Sequence, residues 1–177
     1  MARKRNRKYT VAVHEAGHAV AAILNDIAFK YVTIVPGVVY AGPCDGHVRL
    51  RPPPARYNRG GLKDSPASLD FWHRRLIVNL AGPAAHKKLH PRAHWLGYAG
   101  PDMTEACHVI RDIHQCDDNG PVTEAHFKYI EALAAACIEE YWEEIEAVAA
   151  VLIEHDTLSE DQVRIAMLPA CLKMAVQ

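Results

Sequence analysis

The sequence predicts an α+β domain that is mostly helical and carries a small β-sheet. Three observations support this. Val11 to Leu24 is an apolar-periodic run of helical character, and Thr123 to His155 holds no glycine or proline. Between them, Tyr31-Val-Thr-Ile-Val35 is rich in β-branched residues and stops at Pro36-Gly37, the pattern of a short strand. The chain has 177 residues, half of them hydrophobic, and a formal net charge of −1, which suits one soluble domain with a real core.

Taken in order, residues 1–8 hold Arg3, Lys4, Arg5, Arg7 and Lys8 and are expected to form a basic flexible tail. Such a tail also raises a nucleic-acid contact as a minor reading. The folded domain is placed at 9–167 and a C-terminal tail at 168–177. A basic start before an apolar run resembles a leader peptide, but His14, Glu15 and His18 interrupt the run and argue against one. No apolar stretch approaches the length of a membrane span. The five cysteines are odd in number and form no C-x-x-C pair, which points to free thiols and a cytoplasmic location.

Thr10 is the expected N-cap of the first helix, which should end near Asn25. After the strand Tyr31 to Val35, a second extended piece runs from Gly46 through His47, Val48, Arg49 and Leu50 to Arg51, and Pro52-Pro53-Pro54 stops it. Residues 52–67 read as a loop. Helix returns at Leu69, and Gly82-Pro83 is expected to kink or break it. Gly97 to Pro101 reads as a turn, and Asp102-x-x-Glu105 as a capping box opening a helix that reaches about Cys116. Asp117 to Pro121 is a further turn. Thr123 to His155 is one long helix or two end to end, and Ser159-x-x-Gln162 caps a last short helix ending before Pro169.

The chemistry concentrates in His14-Glu15-Ala16-Gly17-His18. A helix returns to nearly the same face every four residues, so His14 and His18 project side by side, as two imidazoles sharing one zinc ion must. Glu15 adjoins the first of them and can take a proton from a water that the ion acidifies. The plainer reading is an amphipathic helix with two partly buried histidines. Against it, two uncompensated rings would be costly in an apolar run. Gly17 also costs about 1 kcal/mol in a helix interior, which implies a close approach to the backbone there. Catalytic zinc takes three protein ligands. The third is open among Asp102, Glu105, His86, His90, His94 and His108, and Asp102 is equally a plain helix cap.

At this point the chain resembles the zinc-peptidase domain of FtsH-type AAA+ proteases over most of residues 9–167. His14-Glu-Ala-Gly-His-Ala19 corresponds to the signature of that family, and Val32-Thr-Ile-Val-Pro36 to its next strand. Gly46-His-Val-Arg-Leu-Arg-Pro52 corresponds to the segment G-Y-T-x-x-x-P at the sheet edge by the active site. Leu80-Ala-Gly-Pro-Ala-Ala85 stands at G-G-R-A-A-E, with Pro83 in place of Arg and His86 in place of Glu. Asp102-Met-Thr-Glu-Ala106 corresponds to D-L-x-x-A, and Leu152-Ile-Glu-His-Asp-Thr-Leu158 to L-L-E-x-E-T-L. The segment before Asp102 departs from T-G-A-x-x-D.

The resemblance implies a zincin-like fold, a Zn2+ held by His14, His18 and Asp102, and Glu15 as general base in peptide-bond hydrolysis. Gly46, His47, Val48, Arg49 and Leu50 would hold a peptide or unfolded protein by backbone pairing. His47, His86, His94 and Tyr98 are candidates to assist the oxyanion, and each is also a plain polar residue. No G-x-x-x-x-G-K-[ST] occurs, so an ATPase, where one is needed, is a separate partner. A homo-oligomer is compatible with the sequence, and nucleic acid is not the expected partner. Two other classes compete with this reading: a different cytoplasmic zincin acting near DNA, and a non-catalytic interaction module that keeps the helical fold, with zinc lost or merely structural.

Overall fold

A computed structural model of the chain describes residues 2–39, 42–57, 65–92, 100–115 and 120–169. These residues form six α-helices and two small antiparallel sheets. The long helix α1 spans Ala2–Leu24. The strands β1 (Phe29–Thr33), β2 (Gly37–Val39), β3 (Gly42–Cys44) and β4 (His47–Leu50) follow. After a 3-10 turn at Ala55–Tyr57 come α2 (Pro66–Leu89), α3 (Gly100–His114), α4 (Pro121–Glu140) and α5 (Trp142–His155). The strand β5 (Thr157–Ser159) leads into α6 (Glu160–Met167). No described helix is long and apolar enough to cross a membrane.

Helix α1 is the centre of the packing. It lies against α2 and α5, with α6 and β1 beside it. Small residues make this possible: Ala12, Ala16, Ala19, Ala21 and Ala22 are fully buried. A Cβ on Gly17 would sit 2.8 Å from the Ala85 Cβ and 2.9 Å from the Ala81 carbonyl oxygen. The close approach expected at Gly17 is therefore the backbone of α2.

The larger sheet has the order β4-β1-β5, so β4 is an edge strand. Val32 pairs with Val48 on one side and Leu158 on the other, and Thr33 pairs with His47 and Thr157. An irregularity between Phe29 and Val32 breaks strict alternation, and it lets both residues bury completely although three positions separate them.

Several boundaries differ from expectation. Helix α1 begins at Ala2, so the basic residues 2–8 form its first turns rather than a separate tail. Thr10 lies in its interior, where its hydroxyl meets His90 Nε2 at 2.9 Å instead of capping. Strand β1 sits two residues earlier than Tyr31 to Val35; after Thr33 the chain turns, with the Val35 N–H donating to the Thr33 hydroxyl. Residues 37–39 and 42–44, assigned to no element in the sequence, pair antiparallel as β2 and β3. Ser65 caps α2, so that helix starts before Leu69.

Pro83 does not break α2, which continues to Leu89 with Pro83 and the residues around it buried. Proline removes one helix hydrogen bond, and packing against α1 and α4 holds the helix together across the gap. Asp102 does not open a capping box, because α3 already begins at Gly100 and Asp102 lies in its first turn. The stretch 123–155 is two helices, joined at Tyr141. The capping box of Ser159 and Gln162 is present. Cys44, Cys107 and Cys137 are free thiols, and Cys116 and Cys171 lie outside the described residues, as does most of the C-terminal tail.

Candidate metal centre

The site forms where α1, α2 and the start of α3 meet. His14 and His18 lie one turn apart on α1, with ring centroids 4.8 Å apart and planes at 75°. Their Nε2 atoms approach to 3.2 Å. Asp102 Oδ2 reaches both, at 3.3 Å from His14 Nε2 and 3.5 Å from His18 Nε2. Three donor atoms from two helices thus converge, all within 4.8 Å of one another. The edge of a tetrahedron with bonds of about 2.0–2.1 Å is about 3.3–3.4 Å, and the three observed separations bracket that length.

Two features of α2 hold His18 in place. Its Nδ1–H donates to the Val78 carbonyl at 2.7 Å. That bond fixes the tautomer and leaves Nε2 free to act as a ligand. Gly82 lies flat against the same ring: a Cβ there would be 2.2 Å from His18 Nε2. The carbonyl left no signal in the sequence, and Gly82 was read there only as part of a helix break, not as the surface on which His18 lies.

The electrostatics favour a positive charge at the centre. Burial pushes the His18 pKa down, but the charge and hydrogen bond of Asp102, then Glu15, outweigh it and lift it to about 9. Burial opposes the Asp102 charge, yet the two imidazoles hold its carboxyl well below the usual carboxylate range. His18 thus keeps a proton and Asp102 its negative charge where a cation would sit.

Glu15 is buried beside the donor set and is not part of it. Its pKa is raised by burial, against the pull of His14 and His18. Gly46 presses on it: a Cβ on Gly46 would lie 2.9 Å from Glu15 Cγ, 3.1 Å from Oε1 and 2.7 Å from the Thr33 carbonyl oxygen. The start of β4 is therefore fixed next to the Glu15 carboxylate.

The other candidates separate. His86 is buried with its ring 6.2 Å from that of His14. Burial, then His14 and His90, lower its pKa to about 4. His90 sits one turn further on, against His86 and Thr10. Glu105 and His108 are outside the donor set. His47 faces the Tyr31 hydroxyl at 3.3 Å, and Cys44 Sγ is 3.9 Å from its Nδ1. Of the segment after Gly46, Val48 packs towards the core and Arg49 is exposed. His94 and Tyr98 lie outside the described residues. No protein-family model and no curated protein matches the chain.

Proposed function

We propose that this chain is a zinc-dependent endopeptidase acting on peptides or unfolded protein segments. One observation carries the reading: three donors stand at tetrahedral spacing with an unligated, buried glutamate beside them. His14, His18 and Asp102 would hold the ion. Bound there, zinc would supply Lewis-acid polarisation of a peptide carbonyl and acidification of water.

The chain's own groups do the rest. Val78 orients His18, and Asp102 offsets the charge of the ion. Glu15 takes the proton of the attacking water and returns it to the departing amide nitrogen. A buried carboxylate with a raised pKa is a stronger base than an exposed one, which suits that task near neutral pH. Gly46 to Leu50 run along a sheet edge that begins at Glu15, so a substrate strand paired there would carry its backbone past the base. That mode is tolerant of sequence. The resemblance to FtsH-type peptidase domains supports the same assignment of His14, Glu15, His18 and Asp102. Capture by backbone pairing suits flexible chains, or chains that an ATPase delivers unfolded.

Glu15→Gln tests the reading. The variant keeps its size and one acceptor oxygen but loses the base. Metal content should be unchanged, while cleavage of an unfolded casein substrate falls about 10²–10⁴-fold. Cleavage at the parent rate would remove Glu15 from the mechanism.

A further inference from the structure

A second group of histidines lies at the opposite end of α3 from Asp102. His73 comes from α2, His114 from the last turn of α3 and His126 from the second turn of α4. His114 Nε2 is 2.8 Å from His126 Nδ1. The rings of His114 and His126 have centroids 5.0 Å apart at 79°, and those of His73 and His126 are 4.8 Å apart at 79°. The His14–His18 pair of the first centre shows nearly the same relation, 4.8 Å at 75°. The spacing and edge-on attitude of rings that can share an ion thus occur twice more here, both times with His126 in the middle.

We propose that His73, His114 and His126 form a second metal site, taking a divalent transition ion of the zinc class. Imidazole is a preferred ligand for such ions. His126 Nε2 is buried and has no hydrogen-bond partner among the described residues, while Nδ1 of the same ring meets His114, so one buried nitrogen of this ring is still without the partner such groups normally have. Two of the rings also favour the neutral form that binds metal. Burial, then His73 and His114, lower the His126 pKa to about 4. Burial lowers that of His73 too, with Asp70 opposing and His114 adding. His73 and His126 therefore resist protons and offer neutral nitrogens at neutral pH.

Unlike the first centre, these three residues do not already present one donor each within 4.8 Å of one another. His114 Nε2 and His126 Nδ1 meet as a hydrogen-bonded pair, and an ion would bind by opening that pair and drawing His73 towards it. The site would bind more weakly than the first and join three helices. Its ligands are distinct from those of the first, since His114 and Asp102 stand twelve residues apart on α3, about 18 Å along the axis.

The full-length chain is stripped with chelator, reloaded with Zn2+ alone, freed of excess, and its bound zinc counted. The parent should hold one equivalent more than His114→Ala, whatever the first centre holds. His114 is exposed, so this variant keeps the fold. His126→Gln should lose the same equivalent. Added zinc should raise the melting temperature of His14→Ala, in which the first centre is broken, and should not raise that of the His14→Ala/His114→Ala double variant. Equal zinc counts in the parent and His114→Ala would overturn the second site.

Discussion

At the scale of single residues, two glycines separate metal binding from packing. A side chain at Gly82 has nowhere to go but into the His18 ring, 2.2 Å from its ligating nitrogen. Gly82→Ala should weaken zinc binding by at least the 10–100-fold or so typical of disturbing a ligand's support, as measured by chelator competition. Gly17→Ala presses on Ala85 and on the α2 backbone instead. It should lower the melting temperature, and the protein that remains folded should keep its metal affinity. The reverse pattern would mean that Gly82 serves only helix packing. His14, Glu15 and His18 were legible in the sequence because their relation is local: a helix places positions four apart on one face. Asp102 was the most suggestive of six candidates, from its place at a Gly-Pro turn, and the family resemblance pointed to it as well; the residues alone could not fix it, because its meeting with His14 depends on tertiary docking. The Val78 carbonyl left no trace in the sequence, since a backbone acceptor is the same whatever the residue.

At the scale of elements, the last helix was read correctly because its signal is chemical as well as periodic. Ser159 accepts from the Gln162 N–H at 3.3 Å, and the Gln162 side chain accepts from the Ser159 N–H at 2.8 Å. Ser159→Ala should cost about 1 kcal/mol, read as a shift in the denaturation midpoint. A loss of several kcal/mol would show that the cap also holds β5. Other elements defeated local reading for stated reasons. Three-residue strands such as β2, β3 and β5 are too short to show alternation. The break at Tyr141 has neither glycine nor proline; it arises because α4 packs on α2 while α5 packs on α1, and a single straight helix cannot serve both. Pro83 acts in the opposite sense, as a helix breaker overruled by packing on both sides.

At the scale of the whole molecule, the proposed metal ties the amino-terminal helix to the start of α3, and those segments are far apart in the chain. Zinc should therefore act as a cross-link as well as a reagent. Ligand present at 1,000 times its dissociation constant stabilises a folded chain by about 4 kcal/mol. Chelator should lower the melting temperature of the parent and of Glu15→Gln alike, because Glu15 is not a ligand. It should leave His14→Ala unmoved apart from any contribution of the second site. A chelator-insensitive parent would count against a bound ion at the first centre. The α+β class and the dominance of helix were plain from periodicity, whereas the neighbour relations of α1 to α2 and α5 were not, since they depend on small residues whose role appears only when two helices meet.

The exposed edge of β4 has a further consequence, for the protein's behaviour at high concentration. An edge able to accept a peptide strand can also accept another copy of itself, and long bare edges nucleate aggregates. This edge is four residues long, carries the exposed charge of Arg49 and runs into Pro52, Pro53 and Pro54. Prolines cannot donate to a growing ladder, and like charges brought together by stacking repel. Self-association through β4 should thereby be cut short after a few hydrogen bonds, which would let an edge proposed to accept a peptide strand stay open without seeding aggregates.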